Sequence, residues 1–537
     1  MDNSALVYLK PNFVAEPLVQ SWYAWAQLIS PVSGALYLTK KNIPVMKSYM
    51  LSPKAHAAAC RNPKMLGGPF IDYNGEKIEE ITELYNQTIE KNPELFELAE
   101  AVSEVQKLLD NEAKGNALKE LYEKIPECLQ GYIELVYDLN DNPSIRFFES
   151  MFYESPFYKE SMQSIQCYLL YDDDRPFVLS TPRIPQEGKI LLDIPFKSGA
   201  IDNLYKMVRT PGSYQEIKDQ LGIREEDDTL FRSFFTEEKP GAYEKVQGDG
   251  IRTRYFGHAC ILIETKDISI LVDPVISHEY ESDLDRLTYK DLPDEIDYVL
   301  ITHNHQDHIL IETVLQLRHK VKNFIVPKTS GRALQDPCLA LMLRKIGFKN
   351  VMELDPLGNV EIPDGSITGL PFIGEHGDID VACKLAYLVQ LKGYKIMLLA
   401  DSDNIDSKLY AHLHKIYGDV DTIFMGMECE GAPMSWLYGA LRETPLEHKH
   451  DQKRRLNGSN FERGMGIIDQ FNPKETYVYA MGAEPWIKYI SSIQYTDESY
   501  AIVESNKLID ACNQKGIISK RLYGINELNV EKLEELS

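Results

Sequence analysis

The stretch His303-Asn304-His305-Gln306-Asp307-His308 constrains this chain more than any other. It follows directly on the apolar run Tyr298-Val299-Leu300-Ile301, so it reads as a β-strand ending in a ligand-bearing loop. Four metal-binding side chains within six residues are hard to explain as packing. His303 and His305 alternate, so both can turn toward one metal ion. Asp307 and His308 come on the next bend and can serve a second ion nearby.

A two-metal site of this kind needs further ligands at the ends of later strands, and three groups occur in the right order. The first is Gly374-Glu375-His376-Gly377-Asp378, after Leu370-Pro371-Phe372-Ile373. The second is Asp401, closing the apolar run Ile396-Met397-Leu398-Leu399-Ala400, where one carboxylate could bridge two metals with its two oxygens. The third is His448 or His450, either of which could supply the last imidazole of the second metal. Position 375/376 decides the chemistry. With His376 as ligand the set is histidine-rich and suits zinc, which lowers the pKa of a bound water. With Glu375 as ligand, three carboxylates supplement the imidazoles; hard oxygen donors suit two irons that activate dioxygen. Adjacent side chains on an extended segment point in opposite directions, so one of the two is expected to bind. The pattern alone leaves that choice open.

With 537 residues, 44% hydrophobic and 26% charged, the chain is expected to be a globular protein of two or three domains. A net charge of -25 repels phosphate backbones and argues against a nucleic-acid partner. Eight scattered cysteines without CxxC spacing suggest free thiols in a reducing compartment. The start, Met1-Asp2-Asn3-Ser4, lacks the basic residues of a signal peptide, and no run of about twenty apolar residues appears. A cytoplasmic protein without a membrane anchor is therefore expected.

Histidine placement divides the chain. Only His56 precedes residue 250; the other eleven of the 12 lie between His258 and His450. In the first half, Ile78 to Ile89 and Leu95 to Leu109 carry helical spacing, residues 164–195 read as strands, and 199–236 as helices with a weak winged-helix flavour. Beyond Lys239-Pro240-Gly241, Arg252 to Thr265 and Ile268 to Val272 read as a hairpin closed by Lys266-Asp267; strands and helices then alternate. Residues 531–537 read as an acidic helical end. His258, in Gly257-His258-Ala259, is expected to be a satisfied core histidine, with a role behind the ligands or facing the substrate as the alternative. Asp273 could equally end a strand or orient a ligand histidine.

The motif HxHxDH resembles the signature of the metallo-β-lactamase fold. With Glu375 in the usual histidine slot, Asp401 and the large N-terminal half, the chain resembles the diiron β-hydroxylases of the type found in chloramphenicol biosynthesis. The resemblance implies an α/β architecture: a metallo-β-lactamase-like αββα sandwich over 244–537, preceded by a mixed α+β domain over 1–243 that shapes dimerisation and substrate access. It implies that His303, His305 and Glu375 hold one iron, Asp307 and His308 the other, and Asp401 both, with Glu375 and Asp401 central to catalysis. The last imidazole stays split between His448 and His450. The expected reaction is O₂-dependent hydroxylation at the β-carbon of an amino acid held on a peptidyl carrier protein of a nonribosomal peptide synthetase. Electrons would come from a separate reductase or ferredoxin, and a homodimer is expected. The alternative is a dizinc hydrolase of an ester, lactone, thioester or phosphoester.

Overall fold

The computed structural model describes residues 6–530; the expectations for the first four residues and for 531–537 lie outside the described residues. Two seven-stranded sheets form the centre of the C-terminal part. In hydrogen-bonded order the first runs Val351–Leu354, Val321–Pro327, Ile296–Leu300, Ser269–Val272, Cys260–Glu264, Ile251–Gly257 and Asn526–Val530. The second runs Asn359–Ile362, Gly365–Leu370, Ala386–Leu391, Tyr394–Leu398, Thr422–Gly426, Glu475–Tyr479 and Ile518–Arg521. Each is parallel on one side and antiparallel on the other, as expected when short hairpins and helical crossovers alternate.

Inward-facing Ile261, Ile270, Leu300, Ile325, Tyr387 and Phe424 fill the space between the sheets. Helices Ser407–Tyr417, Phe461–Phe471 and Tyr500–Gln514 close the outside of the second sheet with Leu413, Ile468 and Leu508. Helices Ile311–Leu317 and Leu339–Lys345 close the first. The result is the αββα sandwich that the resemblance implies.

One strand expectation needs correction. The stretch from Arg252 to Thr265 is two antiparallel strands, not one, turning tightly at Gly257-His258-Ala259. Gly257 sits at φ 112°, and a Cβ there would come within 2.7 Å of the Trp486 ring. This turn carries His258 to the edge of the sandwich where the ligand loops gather.

The N-terminal part is mixed α+β. A four-stranded sheet is built around Phe13–Val19 paired with Gln163–Leu169, and the two predicted helices are present as Ile78–Lys91 and Pro93–Glu112. Only the ends of 164–195 are strand. Between them the backbone leaves the ladder and carries Arg175 and Arg183 into the interior. Its core is continuous with that of the C-terminal part: Phe13, Tyr205 and Phe231 belong to the same buried cluster as Leu271, Val299 and Leu315.

A closed ion network ties the two parts together. Arg175 donates to both oxygens of Glu312 (3.2 and 2.6 Å) and to Glu16 (2.6 Å), and Arg183 donates to Glu16 at 2.7 Å. Tyr23 and His278 complete Glu312 at 2.9 and 3.0 Å. Glu312 lies on the helix that starts three residues after His308, so the network braces the ligand loop from behind. No helix among the described residues is long and apolar enough to cross a membrane.

Candidate metal centre

The ligand loops all leave the same edge of the sandwich. The six-residue motif follows strand Ile296–Leu300, Glu375 follows Gly365–Leu370, Asp401 follows Tyr394–Leu398, and Asp273 follows Ser269–Val272. Five non-glycine residues of these loops have left-handed backbone: His258 (φ 49°), Asp273 (φ 41°), Glu375 (φ 67°), Asp378 (φ 62°) and Ala400 (φ 46°). Each such conformation costs of the order of 1 kcal/mol and persists where the surroundings impose it. At Gly374 (φ 87°) a Cβ would meet the Asp403 side chain at 2.4 Å, so only glycine lets the loop present Glu375 inward.

Three overlapping groups place one donor atom from each member within 4.8 Å of the others: His303 with His305 and Glu375, His303 with His308 and Asp401, and His258 with Asp307 and His308. His305 Nδ1 is 2.7 Å from Glu375 Oε1, and His303 Nε2 is 3.8 Å from Glu375 Oε2. Asp401 Oδ2 stands between the two halves, 3.1 Å from His308 Nε2 and 3.9 Å from His303 Nε2.

The far side of each imidazole is held. His308 Nδ1 lies 2.8 Å from Asp273 Oδ2. Thr302 donates to that same oxygen at 2.6 Å, leaving its own lone pairs to accept from His303 Nδ1 at 3.0 Å. His305 Nε2 meets the Tyr438 hydroxyl at 2.8 Å. These contacts fix which nitrogen faces inward, the usual support of a metal-binding histidine. Asp273 therefore has the orienting role as well as the strand-ending one.

The inward atoms are the ones left over. His303 Nε2, Glu375 Oε2 and Asp401 Oδ1 are buried without a hydrogen-bond partner, although Glu375 Oε2 is 2.9 Å from His376 Nδ1 in an off-line approach. Buried polar atoms are normally satisfied, so converging lone pairs of this kind fit cations. Burial, then the neighbouring charges of His308 and His305, keep His303 neutral and ready to coordinate. Burial alone would raise Glu375, but facing His305 and His376 draws it down to about 2.

His376 corrects the idea that neighbouring side chains diverge. Glu375 is left-handed rather than extended, so both side chains turn into the cluster, and the His376 ring lies 4.6 Å from that of His305. Only Glu375 joins a group with metal spacing among the described residues.

His448 and His450 are a second correction. Both lie exposed on the short helix His448–Asp451, and neither enters a metal-spaced group among the described residues. The extra imidazole beside Asp307 is His258, 3% exposed, with Nε2 3.4 Å from Asp307 Oδ2. Its Nδ1 accepts from the Gly482 amide at 3.1 Å, so the neutral ring carries its proton on Nε2, facing Asp307. His258 thus turns Nε2 toward the Asp307 carboxylate, without hydrogen-bond alignment. The sequence signal for it is the dipeptide Gly257-His258 ahead of the apolar run Ala259 to Ile263.

A cavity of about 420 Å³ opens onto the cluster. Asp307, Glu375 and Asp401 form its floor; Trp436, Leu437, Leu456 and Ile493 give it an apolar wall, and Lys64, Leu66 and Gly67 of the N-terminal part flank its mouth. Trp436 donates its indole N–H to the Gly67 carbonyl at 2.7 Å, pinning that segment. Glu428, after strand Thr422–Gly426, also lines the cavity. Burial and the facing charges of Asp401, Asp307 and Glu375 push it up to about 8, a repulsion that cations in the cluster would reverse.

Residues 8–240 match the family model described as the diiron non-heme beta-hydroxylase N-terminal domain, and residues 252–427 match the beta-lactamase superfamily domain. The chain is 36% identical over 524 residues, 96% of its length and 98% of the relative's, to the 4-amino-L-phenylalanyl-[CmlP-peptidyl-carrier-protein] 3-hydroxylase of Streptomyces venezuelae. The crystal structure of CmlA, a diiron β-hydroxylase from Streptomyces venezuelae, superposes with a TM-score of 0.91 at 35% identity, covering 98% of this chain and all of that one. A mutant of that hydroxylase gives a TM-score of 0.89 at 34% identity, with the same coverage.

Proposed function

This chain belongs to the diiron non-haem β-hydroxylases, and from that premise we propose that it is an O₂-dependent monooxygenase that hydroxylates the β-carbon of an amino acid held as a thioester on a peptidyl carrier protein. The observation that carries this reading is the carboxylate of Glu375 facing His303 and His305, where a purely hydrolytic site would use imidazole. His303 Nε2, His305 Nδ1 and Glu375 would hold one iron, Asp307 and His308 Nε2 the other, and Asp401 would serve both. Two irons, when bound, supply the redox chemistry by which a C–H bond, O₂, two electrons and two protons yield an alcohol and water.

The chain's own residues do the rest. Asp273 and Thr302 hold the His308 and His303 rings, and Tyr438 holds His305. The apolar wall and Lys64, Leu66 and Gly67 of the N-terminal part narrow the approach to the cluster while leaving room for an amino-acid side chain. Electrons come from a separate reductase or ferredoxin. We further propose that the N-terminal domain, residues 1–243, governs access and dimerisation ahead of the catalytic domain at 244–537. The free cysteines accord with a cytoplasmic location.

The test is a single turnover. Iron-loaded protein is reduced without oxygen, mixed with an aminoacyl carrier protein and exposed to O₂. The expected product is one oxygen atom heavier at the β-carbon. Thioester or phosphoester hydrolysis by zinc-loaded protein, lost in His376→Ala and kept in Glu375→Ala, would replace this reading with the hydrolase.

A further inference from the structure

We propose that Glu428 recognises the α-ammonium group of the tethered amino acid. The inference rests on the hydroxylase reading and adds to it a residue that selects the substrate.

Glu428 lines the same cavity as Asp307, Glu375 and Asp401. Unlike them, it belongs to no metal-spaced group among the described residues. Among the described residues no lysine, arginine or histidine lies within ion-pair distance of it, and the nearby Arg455 donates instead to Gln452 at 2.8 Å. Its backbone is fixed, since its carbonyl accepts from the Gly458 amide at 2.9 Å. The cavity thus offers a metal-facing floor, an apolar wall and, beside the floor, the Glu428 carboxylate without an ion pair; Glu430, also on the lining, is exposed.

An aminoacyl thioester has the complementary features. Its side chain is suited to the wall, and its α-ammonium is the one cation it must carry. A carboxylate accepting a charge-assisted hydrogen bond from an ammonium forms one of the stronger polar contacts available. The β-carbon is bonded to the carbon that bears this ammonium. Anchoring the ammonium beside the cluster therefore places the β C–H bond next to the metals, which is the positioning that the reaction requires. A peptidyl or N-acyl substrate lacks the ammonium and is disfavoured.

A side-chain amine, such as that in the relative's 4-amino-L-phenylalanyl substrate, has the same chemistry, so the test separates the two sources. Binding of three pantetheine thioesters to anaerobic iron-loaded enzyme is measured by calorimetry. Phenylalanyl carries only the α-amine, 3-phenyllactyl carries neither amine, and 3-(4-aminophenyl)lactyl carries only the side-chain amine. The wild-type protein is expected to prefer phenylalanyl over phenyllactyl by roughly 10- to 100-fold. Glu428→Gln should bind the two within about twofold of each other, while Glu428→Asp regains part of the preference. Both variants should keep their iron. A preference that survives in Glu428→Gln overturns the proposal, as does a preference for the side-chain amine, loss of iron from Glu428→Gln, or failure of the wild-type protein to bind any probe. If the amine preference is as expected but no hydroxylated product forms, the function fails and the assignment of Glu428 stands. If hydroxylation occurs and Glu428→Gln discriminates as well as wild type, the reverse holds.

Discussion

Two buried assemblies of charge flank the start of helix Ile311–Leu317, and they are completed in opposite ways. In the first, Glu16 and Glu312 face Arg175 and Arg183; the opposite charges balance, and none of the buried partnerless side-chain atoms belongs to these four residues. In the second, Asp307, Glu375 and Asp401 face imidazoles, while His303 Nε2, Glu375 Oε2 and Asp401 Oδ1 stay without partners. Burying charge is costly unless it is paired and hydrogen-bonded. The first assembly meets that condition within the chain; the second meets it only with cations from outside. A buried polar cluster is therefore classified by its leftover lone pairs, not by its density of charge.

The comparison breaks first at the cluster. Glu375→Ala and His303→Ala each remove an inward donor, so each should lose at least one iron and lower single-turnover hydroxylation by on the order of a thousandfold or more. Iron content by elemental analysis and product yield by mass spectrometry check this. A Glu375→Ala protein with two irons and near-normal yield would sink the ligand assignment.

At the closed network the loss should appear as stability. Arg175→Met strands Glu312 and half of Glu16 in the interior, and breaking a buried pair in this way costs about 3–5 kcal/mol. Urea unfolding of matched metal-free proteins measures it. Adding Glu312→Gln to Arg175→Met should recover part of the loss, because it removes the stranded charge. A double variant no more stable than the single would show that packing, not charge, holds the seam.

Glu149 is a third buried carboxylate at the junction and sharpens the contrast, since its partners are neutral. Ser30 and the Cys338 amide donate to it at 2.9 Å each, and burial raises it from 4.5 to about 7. Between those pH values the folded protein holds a proton that the unfolded chain has released, so stability falls as pH rises through the window. The shift corresponds to about 3 kcal/mol over that range. Glu149→Gln should flatten this slope in a melting-temperature series. Glu312, drawn down by Arg175 against the effect of burial, has the opposite sign: its contribution is present at higher pH and is lost on acidification.

Why some of this was legible in the sequence follows from the same physics. Ligand loops that follow apolar strands announce themselves locally, so His303, His305, Asp307, His308, Asp401 and the pair Glu375-His376 stood out as candidates from short segments and their order. The choice within that pair depends on a left-handed backbone at Glu375 that no local pattern specifies. The alternation of strands and helices pointed to an α/β sandwich, and the resemblance carried by HxHxDH gave its αββα form. The closed network could not be read, because Glu16 and Arg175 lie 159 residues apart and nothing near either one specifies the other. The irregular course of the chain between Gln163–Leu169 and Ile190–Leu192 is set by those distant partners, so a strand expectation there failed.

His258 and His448/His450 show the limit at single residues. All three are histidines in the catalytic half, and the later pair seemed better placed by order along the chain. The fold reverses this: the tight turn at Gly257 brings His258 against Asp307, while a short exposed helix keeps His448 and His450 at the surface. With Nδ1 accepting from Gly482, His258 should act by holding Asp307 through Nε2–H. His258→Ala is therefore expected to weaken one iron by about 10- to 100-fold, and His258→Gln, which keeps a donor, to restore part of it. His448→Ala and His450→Ala should leave iron content unchanged and shift stability by no more than about 0.5 kcal/mol, as exposed substitutions do. Iron titration of the three alanine variants side by side decides the matter. Loss of iron from either exposed variant, with His258→Ala intact, would return the missing imidazole to the end of the chain.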